Sequence, residues 1–443
     1  MPERPVTKDI NALSVGRWFD PFVSVAMIIG AFLFLYTTKI TDVYLTLLLV
    51  LLTSAYLFFS EFSRAKWHFK DRPRQTLSEV LDRTATKFFG VLIGILAIFF
   101  AIWLFPAYDN VSNLRSFREA IVPSLGFILP FSFLLILATE YILGEKKDGT
   151  YQFGLLARGR VREINWRVFG DGFLEWLLRC FFLQINFYAA VWYIANVRAR
   201  GLPSIHWDFP TFITQLDLAI FGLIVLSILP GYLFASRLIH TELKKVDRTW
   251  FGWTINLACY PPFNAAVFGA WVQYIPGAEL AQMYAGTPAW AYFTASYPAL
   301  LYFVAAAIIF FALIHLWGEA AVGIRAANIS SRGIITTGLF RYTRHPIYVS
   351  KGFQWAFIYF PFLNVLGILN SLQSIILFLL VCAIYAGRAL SEERLLATDE
   401  AYVKYALYMD DHSIFAFVGR FFPIMTFRWR YEYWIRNGLL QKS

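Results

Sequence analysis

Charged side chains are scarce in this chain: Asp, Glu, Lys and Arg together make up 15% of 443 residues. A soluble domain carries about 25%, so a free-standing water-soluble fold is excluded. Cysteine is nearly absent too. Cys180, Cys259 and Cys382 all fall in apolar segments, and no Cys-x-x-Cys occurs. That pattern excludes a disulfide framework and a cysteine zinc site. There is no Gly/Ser linker, no low-complexity block and no convincing internal repeat. The start is not a cleavable signal peptide: Met1 to Asp20 is polar and mixed in charge, and the full-length apolar span after it is expected to stay as an anchor. No serine, cysteine or second histidine is arranged for a covalent relay, and no histidine/carboxylate set has metal spacing.

Apolar and aromatic residues are what the chain has in excess. Hydrophobic residues reach 58%, aromatics 19% (45 Phe, 24 Tyr and 15 Trp), and mean hydropathy is +0.54. A helix needs about 20 apolar residues to cross a bilayer. Ten such stretches are expected, near 22–38, 43–60, 88–106, 120–142, 171–194, 212–235, 251–275, 290–316, 350–368 and 371–387. Asn370-Ser371 reads as the turn of a tight hairpin between the last two. Pro261 and Pro262 each lack a backbone donor, so the seventh span should kink or break. The net charge of +10 lies in loops rather than in one patch, which argues against nucleic acid. Alternate loops hold 33 Lys and Arg, the intervening ones 5. The fold expected is therefore all-α and polytopic, with ten transmembrane helices and both termini cytoplasmic. With no transit-like or retention signal, a bacterial cytoplasmic membrane is the expected location.

Two regions differ in character. Residues 1–285 are spans and basic loops without a recognisable motif, and 286–443 carry a dense polar cluster. It reads Gly338-Leu339-Phe340-Arg341-Tyr342-Thr343-Arg344-His345-Pro346-Ile347-Tyr348, and Glu392-Glu393 follows 47 residues after His345. Ionisable groups beside membrane helices usually mark a site. Two helices of matched length, each about 27 Å at 1.5 Å per residue, would lead out and back and return the glutamates to the arginines and the histidine. Tyr402, Tyr405 and Tyr408 recur at intervals of three and form a stripe, either interfacial anchor or pocket wall. Carboxylates and aromatic faces attract a cationic centre such as a sulfonium. Arginines attract a carboxylate or phosphate. Positioned transfer between two bound molecules fits this mixture better than hydrolysis. His315 and Glu319, four apart near the same end of the eighth span, are candidates to line the site. Glu175 and Arg179 form a candidate buried pair, and Asp217, Asn186 and Asn264 could line a polar cavity or tie helices together. The tail Arg428 to Trp434 reads as a membrane-surface helix.

The segment Ile329 to Tyr348, with its Arg-Tyr-x-Arg-His-Pro-x-Tyr core, resembles the isoprenylcysteine carboxyl methyltransferase and phospholipid methyltransferase superfamily. Glu392-Glu393, Tyr402, Tyr405 and the closing Phe422-Pro423 resemble its second motif. The resemblance covers the C-terminal part only. It implies a multi-span enzyme that uses S-adenosylmethionine to methylate a lipid or lipid-linked group. His345, Pro346, Tyr348, Glu392, Tyr402 and Tyr405 would then bind the cofactor. Arg344, Glu392 and Glu393 would act in catalysis and Arg341 would meet the substrate; His315 and Glu319 are expected beside it from their position near the motif loop, not from the resemblance. The chain departs from the pattern at Ile347, where Asn is frequent, and at Ser350-Lys351, where a glycine is usual. A sterol-type reductase using NADPH shares an Arg-His-Pro-like region and is the enzymatic alternative. A transporter or assembly factor with a degenerate fold is the non-enzymatic one.

Overall fold

The structure, a computed structural model, describes residues 14–440 apart from 16, 66–74, 105–113, 261–288, 295 and 360–366. The described chain is almost entirely helical. In order it forms α1 (Asp20–Leu35), α2 (Asp42–Arg64), α3 (Leu77–Leu104), α4 (Leu114–Leu143), α5 (Gly149–Ala157), α6 (Trp166–Arg200), α7 (Phe209–Leu233) and α8 (Trp250–Leu257). There follow α9 (Ala289–Thr294), α10 (Pro298–Val322), α11 (Pro346–Tyr359), α12 (Gly367–Leu396), α13 (Glu400–His412), α14 (Ala416–Phe421) and α15 (Phe427–Arg436). A two-residue strand β1 (Lys245–Val246) pairs antiparallel with β2 (Ser330–Ser331).

Short polar side chains start these helices by satisfying free backbone donors. Asn165 accepts from the amides of Arg167 and Val168 at 3.1 and 3.2 Å, and Asp208 accepts from Thr211 at 3.1 Å. Gly201, at φ 93°, ends α6 in a conformation that favours glycine.

Six helices among the described residues are long and apolar enough to cross a membrane: Asp42–Arg64, Ile121–Leu143, Trp166–Arg200, Phe209–Leu233, Pro298–Arg325 and Ser371–Leu396. Asp20–Leu35 is apolar but shorter. The chain is thus a multi-pass, all-helical protein of membrane type. The other expected spans are covered in part. Of 251–275, only the stretch to Tyr260 is described, and α8 ends at Leu257, before Pro261. The expected kink at Pro261-Pro262, like Asn264, lies outside the described residues. The hairpin turn is not at Asn370-Ser371, which are helical within α12. The segment joining α11 to α12, 360–366, lies outside the described residues.

α7 is apolar on every side, as fits a helix enclosed by others. Its Leu226 and Leu229 pack with Ile28, Leu45, Leu49, Phe187 and Ile194 from α1, α2 and α6. Polar contacts show which helix ends share a level. Arg325 after α10 pairs with Glu61 near the end of α2 at 2.9 Å. Arg237 after α7 donates to Gly144 O after α4 at 3.0 Å. Arg332 donates to Gly231 O, and Arg248 pairs with Asp171 near the start of α6. At the opposite level, Arg198 near the end of α6 bonds Asp42 and Ile40 O at 2.8 and 2.7 Å. Phe209 meets Tyr302 there, with ring centroids 4.8 Å apart. The described parts of the loops richest in Lys and Arg therefore gather on one side.

α3 and α5 touch backbone to backbone. A Cβ at Gly154 would overlap Thr86 O, and one at Gly90 would overlap Thr150 O. Asp217 on α7 accepts from Gln354 Nε2 on α11 at 2.8 Å, a helix-to-helix tie rather than a cavity lining. Asn186 donates to Phe182 O within its own helix. Glu175 and Arg179 do pair, half-buried, beside a cavity of about 350 Å³ among α3, α4 and α6.

Candidate active site

Out-and-back passage through α11 and α12 brings the Arg344–Tyr348 turn against Glu392-Glu393. Glu393 is the hub and is 1% exposed. Its Oε1 accepts from Arg344 Nε at 2.9 Å and lies 3.0 Å from His345 Nε2. Its Oε2 accepts from Arg430 of α15. A carboxylate can only accept, so the His345 proton sits on Nε2. Nδ1 then faces Glu392, 3.9 Å away. Arg344 has a second anion: its Nη1 donates to Asp410 Oδ1 at 2.7 Å. Burial works against the charge of Arg344, but Glu393 and Asp410 outweigh it and hold the guanidinium above its ordinary value. Asp410 also accepts the amides of Phe427 and Arg428, both at 2.8 Å, and so caps α15.

Glu392 differs from its neighbour. Its side chain is 47% exposed and accepts one hydrogen bond, from the Tyr348 hydroxyl at 3.2 Å. The His345 and Tyr348 rings stack, with centroids 5.7 Å apart and an interplanar angle of 18°. Together with Arg344 they form a wall shared by two chambers. One is polar, about 130 Å³, and reaches down to Tyr260, Asn328, Glu319, Lys351 and Arg388. The other is mostly apolar, about 760 Å³, and lies between α11, α12 and α15, lined by Trp355, Tyr385, Trp429 and Tyr433 among others.

The remaining candidates separate. Pro346 and Tyr348 line the polar chamber, as does Glu319. His315 is 1% exposed, lies 3.6 Å from Glu319 and does not reach the chamber. Arg341 is exposed and borders neither chamber. Tyr402 and Tyr405 are buried in a cluster with Met409, Phe427 and Trp434, and also face neither chamber. The Tyr405 hydroxyl donates to Phe340 O at 2.7 Å, fixing the turn that carries Arg344. Three-residue spacing marks one helix face, but it does not say whether that face meets a cavity or a core. Glu393 and Arg344 are satisfied by protein partners, so they brace the site rather than offer charge to a ligand.

Four contributors escaped the sequence reading: Arg388, Lys351, Asp410 and Arg430. Arg388 and Glu392 are four apart on α12 and share a face, a spacing that could have exposed the arginine. The tail helix is amphipathic as expected, but Arg430 turns inward to Glu393.

Residues 294–411 match a family described as a protein of unknown function (DUF1295). The matched stretch runs from the end of α9 to the end of α13 and holds the Arg344–Tyr348 motif, Glu392-Glu393, Tyr402, Tyr405 and Asp410, but not Phe422-Pro423. No curated protein and no solved structure matches the chain.

Proposed function

We propose that the protein is an S-adenosylmethionine-dependent methyltransferase acting on a lipid or lipid-linked headgroup at the cytoplasmic face of its membrane. Residues 286–443 would form the catalytic core of a ten-span chain with both termini cytoplasmic. The gathering of basic loops on one side supports that orientation. The observation that carries the functional reading is the meeting of Arg344-His345-Pro346-x-Tyr348 with Glu392-Glu393 at a wall between a polar and an apolar chamber. The matched family is associated with steroid 5-alpha reductase-like and methyltransferase-like membrane proteins.

The chambers suit a donor with unlike ends. Drug-sized ligands occupy about 300–1,000 Å³. The apolar chamber, 760 Å³, falls in that range, whereas the polar one, 130 Å³, takes only a small head group. When bound, S-adenosylmethionine supplies an electrophilic methyl group on a sulfonium. Glu392 is the free carboxylate for its ammonium. Glu393, Arg344 and Arg430 brace the site, and the apolar walls take hydrocarbon and exclude water. A carboxylate or phosphate acceptor needs no base. An ammonium acceptor must lose a proton, and His345 Nδ1 is placed to take it.

Calorimetry of the purified protein with S-adenosylmethionine, with and without lipid extract, tests the reading. Binding in the micromolar range is expected, and no binding in either condition overturns it. The reductase association of the matched family favours a second reading, NADPH-dependent reduction of a sterol or isoprenoid. NADPH consumption on adding such a lipid would select it instead.

A further inference from the structure

Two cations at the floor of the polar chamber share it with carboxylates but form no direct ion pair. Arg388 is 5% exposed. Its Nη2 donates to Asn328 Oδ1 at 2.9 Å, and its Nε has no acceptor. Its guanidinium carbon lies 5.5, 5.2 and 5.6 Å from the rings of Tyr260, Tyr348 and Tyr385. Lys351 Nζ sits 5.5 Å from the Tyr385 ring. Among the described residues neither cation makes an ion pair. Glu319 and Glu392 line the same chamber, but neither pairs directly with Arg388 or Lys351: Glu319 lies 3.6 Å from His315, and Glu392 accepts a neutral hydrogen bond from Tyr348. Cation–π contact offsets only part of the cost of desolvating a charge. An anion arriving with the ligand would complete the balance.

We propose that Arg388 and Lys351 form a binding site for an anionic group, carboxylate or phosphate, on the molecule that fills the polar chamber. A planar guanidinium with an unused donor suits either group. Arg388 and Glu392 sit one turn apart on α12 with opposite charge, so the chamber is polarised along its length. That arrangement matches an amino-acid head, with carboxylate toward Arg388 and ammonium toward Glu392. Naming the carboxylate of S-adenosylmethionine as the anion rests on the reading above; the anion site itself does not. The alternative source is a phosphate on a nucleotide or lipid.

The test is calorimetry on the full chain in detergent with four probes: S-adenosylhomocysteine, its decarboxylated analogue, NADP and inorganic phosphate. The unmodified protein should bind S-adenosylhomocysteine at least about tenfold more tightly than the analogue without the carboxylate. Arg388→Gln and Lys351→Met should shrink that ratio toward one, by weakening the acid and leaving the analogue unchanged. The ligand-side comparison needs no variant, so a misfolded protein does not spoil it. If S-adenosylhomocysteine fails but NADP or phosphate binds, and Arg388→Gln weakens it about tenfold, the anion site stands and the methyl-donor reading falls. Equal affinity for the acid and its analogue, with no NADP or phosphate binding, overturns the proposal. So do folded variants that retain the parent's preference.

Discussion

Glu393→Gln separates bracing from ligand binding. The amide keeps the volume of the side chain but loses its charge, and it turns an amino group toward a guanidinium. Arg344 and Arg430 both donate to the native carboxylate. Removing one partner of a buried pair costs about 3–5 kcal/mol. Asp410 stays 2.7 Å from Arg344 and keeps part of the balance, so the lower end, about 3 kcal/mol, applies. Against a domain stability of about 5–15 kcal/mol, that is a large fraction. Glu392→Gln is the contrast. Its carboxylate is 47% exposed with one hydrogen bond, so its loss should cost at most about 1 kcal/mol. Tryptophan fluorescence during thermal unfolding in mild detergent reads both. The Glu393 variant should melt well below the parent and the Glu392 variant close to it. Ligand affinity, measured where both are folded, should fall mainly in the Glu392 variant. Equal midpoints for the two variants would refute the bracing role of Glu393.

Other expectations follow from single contacts. Tyr405→Phe removes the bond to Phe340 O and should cost about 1 kcal/mol at neutral pH. Burial holds the Tyr405 hydroxyl above its ordinary value, with Arg344 opposing. The folded chain thus keeps that proton after the unfolded chain, near pH 10, begins to lose it. The phenol's contribution is complete below about pH 10 and is lost as pH rises toward the folded value. The gap between parent and variant melting points should therefore narrow in alkali. Gly154→Ala drives a methyl into Thr86 O and should destabilise by about 1–3 kcal/mol, read as a lower melting point. In a cysteine-free background, Lys147→Cys and Ile205→Cys, both exposed, should react with impermeant maleimide from opposite sides of sealed vesicles. Arg430→Gln should loosen α15, seen as faster proteolysis after Phe427.

The polar cluster was legible because its signals are local and additive. Arg-His-Pro-x-Tyr sits between apolar runs, and a pair of glutamates follows after an outward and a returning helix, although these are 14 and 30 residues long as described rather than equal. Residues such as Arg388 and Lys351 were not. A lone cation at the end of a span looks like an ordinary topology determinant until the fold surrounds it with tyrosines. The tyrosine stripe misled for a related reason: periodicity identifies a face and is silent on what that face meets. Asn370-Ser371 failed as a turn because neither residue forbids helix, and both lie within α12. The count of spans depended on apolar composition and the alternation of basic loops, and segments such as 251–275 combine strong hydropathy with helix-breaking prolines.

The stretch shared with the matched family is stitched to the remainder by specific polar bonds. Arg325 needs Glu61, Gln354 needs Asp217, Asn328 needs Tyr232 and Tyr260, and Ser391 needs Asp247. Excising residues 294–411 as a minimal enzyme would leave these groups without their partners and forfeit Arg430 as well. Dissection will work better as complementation: two halves, cut in the exposed loop near Ile205 and produced together, can reassemble around the same bonds.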